Sequence, residues 1–585
     1  MKTKILIVAI TLFVVAGVLL SIALLGPSIL SRSAGIGAPV NTTPVSQTGE
    51  NAIQRENSLP GSPGWRIPVN KESTTQIQAY ASATSVTPGG KINFYVSTQL
   101  DSTKYQIDVY RLGWYQGVGA RDMHTEKNLV GHAQGYYDAN AGTLQNCVTT
   151  CFFGTQSFPG LVEAKWNNPY TLTVGADWTS GIYLAKFTDA NGWETYAPFD
   201  VSPPNQSSTY IAVTPDTTYA ARNTWGGGSF YQTQAALAGK FPANAFGGDG
   251  HVARVSFDRP YASGSGAADT LLYVIQMVRW MERNGYDVSY MSDVDLHEHP
   301  DWLLTHKAYI SLGDDEYWTR QMYDAVEAGR NKGLGLAFMG ANAIYWQMRF
   351  EPSSSGVADR TVVCYRVSSP NTLHLDPNYQ APTFFVKPDN TKSAITAMWS
   401  DPVNNRPEQA LVGSMHSDLT TIYRPGYPWQ VSKTTDPNSI LLKGTGLTPG
   451  QSYGCGLVGS EWNSVNPKFP SPTNYHTLSE SPVYSDVTRS SIPTSNTTYY
   501  VASSGALVFA TGSFFFSSAV DSYRPPDMQQ QGMSPTKYCG LRNTNSVPDL
   551  KSVPGMGSAD TIIPGMQTLM QNVMAQLVVK HTPNS

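Results

Sequence analysis

Near Ser207 the hydrophobic period of the chain changes, and few folds accommodate both sides of that change. Between about residues 76 and 203, runs such as "KINFYVST", "YQIDVYRL", "PYTLTV" and "GIYLAKFT" place apolar side chains at nearly every second position. Turn formers such as "TPGG" and "DANG" separate them. Period two without helical stretches predicts an antiparallel β-sandwich. From residue 207 on, apolar strands ("TYIAVTP", "YDVSYMS", "AYISLG", "LGLAFMG", "ALVFATGSFFF") alternate with helix-period segments. Among these are "AADTLLYVIQMVRWMERNG", "YWTRQMYDAVEAGRNKG" and the closing "IIPGMQTLMQNVMAQLVVK". Strand–helix alternation over short connections predicts βαβ units and a mainly parallel sheet covered on both faces. The expected fold is therefore multidomain: a sandwich over 76–203 and an α/β domain over 207–585.

Ahead of both, "MKTK" (residues 1–4) precedes "ILIVAITLFVVAGVLLSIALL", an uncharged run over residues 5–25. At ~1.5 Å per residue such a helix spans a hydrocarbon core of roughly 30 Å. It exceeds the usual h-region of about 7–15 residues in a secretory signal. Lys2 and Lys4 favour a cytoplasmic N-terminus. The expectation is a transmembrane signal anchor in the cell membrane, with a short cytoplasmic tail and the bulk of the chain extracytoplasmic. Secretion after signal cleavage is the alternative. Residues 26–75, aperiodic and rich in Ser, Thr, Gly, Pro and Asn, read as a disordered linker.

Of the five cysteines, Cys147 and Cys151 in "CVTTC" read as a local disulfide. Cys455 with Cys539 is a second pairing, which leaves Cys364 alone. A net charge of −4 argues against a nucleic-acid partner. The sandwich aromatics are expected in its core, a glycan-binding face being the other reading. A small-molecule or glycan ligand remains open, as do oligomer and small subunit.

The segments "IDVYRLGWYQGVGAR", "WTSGIYLAKF", "NTWGGGSFY", "SFDRP", "VRWMERNGYDVSYMSDVDLH", "DDEYWT", "LAFMGANAIYWQ" and "FATGSFFF" occur in this order. In them, from about residue 76 onward, the chain resembles proteins carrying an N,N-dimethylformamidase large (beta) subunit-like domain. That resemblance implies a β-sandwich followed by an α/β domain of the class I glutamine amidotransferase type. It also implies hydrolysis of C–N bonds in small amides, with a mononuclear iron held by two tyrosines and a glutamate. It places one tyrosine at Tyr317. Where the other is due it puts Gln276, with Tyr273 one turn away. It offers no glutamate ahead of "MWSDPVNNRPEQALVG", Glu408 lying just past that point. The implied cofactor is one iron, or another divalent or trivalent metal ion.

In open α/β sheets, ligands bind beyond the carboxyl ends of the strands. This selects the loops "SDVDLHEHP", "GDDEYWT" and "GANAIYW". Asn342 stands in the turn where an amidotransferase has its cysteine; an amide is no nucleophile, so thiol acyl transfer is excluded there. G-x-S-x-G is also absent from that turn. Asp293, Asp315, Glu316 and Asn342 are the expected catalytic groups around metal-activated water, and Tyr317 and Asp314 the expected metal ligands. Asp295, His297 and His299 extend an oxygen-and-imidazole set onto the first loop, although such acids ordinarily cap the next helix.

Clustered carboxylates repel. One of Asp314, Asp315 and Glu316 is thus expected to cap the helix starting near Tyr317, one to pair with Arg259 or Arg320, and one to face the cleft. Gln276, Trp225, Arg259 and Trp318 are expected to line that cleft, with "NTWGGGSFY" packing Trp225 and Tyr231 over it. Two functions of different classes follow. One is an extracytoplasmic metal-dependent hydrolase of small amides; the other is a non-catalytic surface protein, binding or structural, with a vestigial site.

Overall fold

The computed structural model describes residues 49–582 except 148, 205–206, 380–393, 420–426, 484–491 and 525–561, and except the side chain of Cys455. The expected anchor at 5–25, its tail and Cys539 lie outside the described residues. From Glu50 on, the chain forms one compact unit.

That unit begins earlier than residue 76, which corrects part of the expected linker. Helix α1 (Ala52–Ser58) opens with a capping box: Gln54 N–H donates to the Asn51 side chain at 2.8 Å, and Asn51 N–H donates to the Gln54 side chain at 3.0 Å. Ile53 and Trp65 are buried in the main core. Sparse apolar residues hid this segment from a periodicity reading, since two anchors suffice once a neighbour covers them.

The sandwich consists of β1 (Ile77–Ala81), β2 (Ser85–Val86), β3 (Lys91–Thr98), β4 (Lys104–Leu112), β5 (Ala120–Val130), β6 (Tyr170–Thr173), β7 (Gly181–Asp189) and β8 (Glu194–Val201). They form two sheets, β1-β3-β6 and β2-β8-β7-β4-β5, antiparallel except where β2 joins β8. Ile77, Ile92, Phe94 and Leu172 of one sheet bury against Ile107, Val109, Phe187 and Phe199 of the other. The period-two pattern is the sign of this shared core. Cys147 and Cys151 are bonded and Cys364 is a free, buried thiol.

The second layer is a seven-strand sheet. Its strands are β9 (Tyr210–Thr214), β10 (Val288–Ser292), β11 (Ala308–Leu312), β12 (Gly335–Met339), β13 (His476–Pro482), β14 (Thr494–Val501) and β15 (Leu507–Ala510), in the order β10-β9-β11-β12-β15-β14-β13. The first five are mutually parallel; β14 and β13 add an antiparallel edge. Alternate residues serve opposite faces. Ala212, Ile310, Ala337 and Phe509 pack with α3 (Ile275–Arg283) and the C-terminal helix (Pro564–Leu577). Val213, Tyr309, Phe338 and Val508 pack with α2 (Asp216–Arg222), α4 (Asp293–Glu298) and α5 (Arg320–Asn331). A sheet buried on both sides explains why its strands are apolar throughout.

One ion pair ties these layers together. Arg111 of β4 donates two hydrogen bonds to Glu282 of α3, at 2.9 and 2.8 Å, and neither side chain has solvent access. Asn57 of α1 adds a bond to Glu282 at 2.8 Å, and Tyr290 of β10 another at 3.1 Å. Breaking a buried pair strands a charge in low dielectric. Glu282→Gln is expected to lower unfolding free energy by about 3–5 kcal/mol, measured by urea denaturation. Arg111→Met with Glu282→Leu should lose markedly less, because no charge is then left unpaired.

Candidate functional site

The strand order reverses direction at β9, so the crevice between the carboxyl ends of β9 and β11 is the topological switch point. Chain leaving β9 runs through α2 to Arg222; chain leaving β11 is the acidic loop 313–319; chain leaving β12 carries Asn342. Gly313 and Gly340 let the last two loops touch: a Cβ on Gly340 would fall 1.8 Å from the Gly313 carbonyl oxygen. The contact is then stitched by Ile344 N–H to the Asp315 carbonyl at 2.9 Å and Trp346 N–H to the Glu316 carbonyl at 3.0 Å.

Arg222 organises what gathers there. Its Nη2 lies 2.5 Å from Asp314, 3.3 Å from Glu316 and 3.0 Å from Glu461. The guanidinium lies over the rings of Tyr231 and Phe514, at 5.5 and 5.8 Å from their centroids. Tyr317 donates from its hydroxyl to Tyr231 at 2.7 Å, and Tyr231 donates in turn to Glu316 at 2.6 Å. Asn342 stands in the turn after β12, as expected, and its φ of 56° is left-handed. Its side-chain amide donates to Glu461 at 2.8 Å, while its own N–H donates to Asn463 at 2.8 Å. His416 stands 3.6 Å from Glu461.

Three carboxylates share one guanidinium, and burial dominates the titration of Asp314 and Glu316. It pushes Asp314 well above the ordinary carboxylate range, against the pull of Arg222 and with the help of Glu461 and Glu316. It pushes Glu316 up to about 7, again with Arg222 opposing. Burial alone would lower Arg222; Asp314 and Glu461 outweigh it and raise the guanidinium. The cluster therefore carries protons near neutral pH.

The sequence-predicted residues divide. Asp314, Glu316, Asn342 and Tyr317 come together, and Tyr231 reaches them as expected. Asp315 does not face the cleft: it accepts from the Trp318 indole at 2.6 Å and from Ser311 at 2.7 Å. Burial pushes it up to about 6. Trp318 is fully buried in the core beneath the sheet rather than in a cleft wall. No acid of the loop caps α5. Thr319 does, because Tyr317 and Trp318 pair as a short parallel strand with Trp346 and Gln347 and delay the helix to Arg320.

Arg259 and Arg320 do not pair with the loop acids. Arg320 faces Asp324, while Arg259 is buried and donates to the carbonyls of Trp225 at 2.7 Å and Gly228 at 2.9 Å. Arg259 thereby folds the glycine-rich loop behind Arg222. Trp225 points away from the site, into a cluster with Tyr137 and Trp166 of the preceding segment. Gln276 donates its amide to the carbonyl of Leu272 at 3.1 Å, back along its own helix. Asp293 holds α2 by accepting from Thr217 N–H at 2.9 Å. Asp295 completes the capping box of α4, and His297 bonds Thr319 at 2.8 Å. His299 stacks on Trp302. These side chains serve helix ends, so no shared metal set forms from the two acidic loops.

Arg222 and Glu461 escaped the sequence reading. "TTYAARNTW" follows a parallel strand, and the strand-end rule applied to β9 would have found Arg222. Glu461 lies in "VGSEWNS", with no periodic signal around it.

The fold and this crevice define an α/β protein with its polar groups collected at the carboxyl edge of a parallel sheet. The chain belongs to the family described as N,N-dimethylformamidase beta subunit-like, C-terminal, which matches residues 106–530. No curated protein matches it. Among solved structures, a superoxide reductase (neelaredoxin) from Ignicoccus hospitalis is similar at 10% identity, over 23% of this chain and 84% of that one, with a TM-score of 0.13. The sporulation control protein Spo0M from Bacillus subtilis is similar at 7% identity, over 23% and 51%, with a TM-score of 0.13. A cycloisomaltooligosaccharide glucanotransferase from Paenibacillus sp. is similar at 12% identity, over 49% and 33%, with a TM-score of 0.14. None of these likenesses bears on the site.

Glu408, the glutamate nearest to where the resemblance asks for one, heads a short helix (Gln409–Val412). It is buried, neither carboxyl oxygen has a hydrogen-bond partner among the described residues, and burial pushes it up to about 8. A carboxyl whose folded pKa exceeds its unfolded value of about 4.3 stabilises least above the folded pKa. Its contribution is lost as pH climbs between the two. Asp315 and Glu316 act in the same direction. The melting temperature is therefore expected to fall from pH 5 to pH 8.5. Glu408→Gln, a neutral stand-in for the protonated acid, should flatten that fall by about 1 kcal/mol or more.

Proposed function

We propose that this chain is a hydrolase of C–N bonds in small neutral amides, with Asp314, Glu316 and Arg222 as its acid, base and electrophile. The observation that carries this reading is two carboxyl groups of raised pKa flanking one guanidinium at the switch point. Membership of the dimethylformamidase beta subunit-like family supports the reaction class. The Arg222 side chain is 27% exposed, so its guanidinium is the donor assigned to the substrate carbonyl. Glu316, as carboxylate, takes a proton from the attacking water as the new C–O bond forms. The oxyanion gathers on Arg222. Protonated Asp314 gives its proton to the departing nitrogen as the C–N bond breaks, leaving a carboxylic acid and an amine. By the expectation from its N-terminus, the domain works outside the cell on a membrane anchor.

The test is release of amine from formamide, N,N-dimethylformamide and acetamide by the purified chain. Turnover should rise with pH as Glu316 ionises around 7, and Glu316→Gln should lower kcat/KM by roughly 10²–10⁴-fold. Equal release by wild type and Glu316→Gln would refute the assignment. One observation favours a second reading, a non-catalytic surface protein. The site side chains of Asp314 and Glu316 are only 1% and 3% exposed, already closed upon Arg222. Absence of turnover of any small amide decides for it. Protease added to intact cells should remove the large domain and leave a short stub; a protected full-length chain would contradict the anchored topology.

A further inference from the structure

The metal implied by the family resemblance needs ligands that this chain does not bring together. Tyr317 spends its hydroxyl on Tyr231. Gln276, at the second tyrosine's place, turns its amide to the Leu272 carbonyl. Glu408 is buried at the head of its own helix with both carboxyl oxygens unpartnered among the described residues. The residues present do not fit the two-tyrosine, one-glutamate set. What does converge is a trio of carboxylates, two from the loop 313–319 and Glu461 from a distant segment, and a positive charge already lies among them. Asp314 accepts no well-aligned hydrogen bond yet stands 2.5 Å from Arg222, with Glu461 at 3.0 Å and Glu316 at 3.3 Å.

We infer that Arg222 is the resident cation of this site, a covalently held charge doing what a bound metal would do for the same carboxylates. Hard cations bind carboxylate oxygens at about 2.0–2.6 Å, so an ion among these oxygens would have to occupy the volume of the guanidinium. Contacts of the guanidinium with the Tyr231 and Phe514 rings favour its staying in that place. Like charges brought this close demand either a cation or protons; the chain supplies one of the first and adds the second. The site thus assembles without metal, and a chain stripped of the Arg222 charge becomes short of a cation.

This concerns the same residues as the hydrolase reading but does not depend on turnover, because metal content and melting are measured without substrate. The purified wild-type chain, produced in iron-supplemented medium, should carry substoichiometric metal and show no change in melting temperature with EDTA, Mn²⁺, Zn²⁺ or Fe²⁺. Arg222→Gln should melt several degrees lower and be raised again by Mn²⁺ or Zn²⁺, whereas Arg222→Lys should melt near wild type and ignore both. Should Arg222→Gln not fold, the wild-type and Arg222→Lys measurements decide alone. Stoichiometric iron in the wild type, with a visible tyrosinate band lost in Tyr317→Phe, would overturn the inference. So would an Arg222→Gln variant that melts like wild type and ignores added metal.

Discussion

The buried pair of Arg111 and Glu282 is the interaction on which the arrangement of the chain rests. A charge pair without solvent is weak as a source of stability, because desolvation cancels most of the attraction. Its value is positional. Glu282 accepts from β4, α1 and β10 together, so four pieces of backbone must keep one relative placement or leave a carboxylate unsatisfied. Apolar packing between the same pieces would tolerate sliding; a fork of directed bonds tolerates little. The sandwich is thereby bolted to α3, and α3 in turn packs on one face of the sheet whose opposite end carries the site.

At that end the same physics appears with the balance reversed. Glu282 has one full charge opposite it and further donors besides. Arg222 has three carboxylates and cannot neutralise them all. Burial displaces Asp314 and Glu316 upward, and the neighbouring carboxylates add to it against the pull of Arg222. An acid–base site needs groups that exchange protons near working pH. Here burial, reinforced by an excess of carboxylate over guanidinium, produces that condition, at a cost in stability that grows with pH.

Much of this was legible in the sequence, and the part that was not has a common cause. The unbroken apolar runs "TYIAVT" and "YISL" report strands buried on both faces, since burial on both sides leaves a local mark. The turn at Asn342 was likewise readable from "MGANA" after a strand. Asp314 and Asp315, however, differ by one position and go to opposite environments, one to Arg222 and the other to Trp318 and Ser311. Nothing local distinguishes them. Arg259 and Trp225 were misassigned because a cation and an indole beside glycines resemble a ligand cradle. Their partners are backbone carbonyls and the sandwich aromatics, which only the tertiary fold brings near. Glu461 was invisible because its role comes from a meeting of segments more than a hundred residues apart.

The conversion of local pattern into site chemistry therefore passes through a single step, the convergence of strand ends at the switch point. Three parallel strands deliver Arg222, the loop 313–319 and Asn342 to one place, and backbone bonds between the loops hold them there. Once those strands are parallel and ordered as they are, a cation on the first connection must lie over acids on the second. The family's scaffold fixes that adjacency whatever residues occupy it. Replacing a neutral or ligating side chain by arginine at the end of α2 would then be enough to exchange a bound ion for a built-in one, with no change in the fold. The carboxylates need a positive charge of suitable size between them; the backbone is indifferent to whether it arrives from solution or from residue 222.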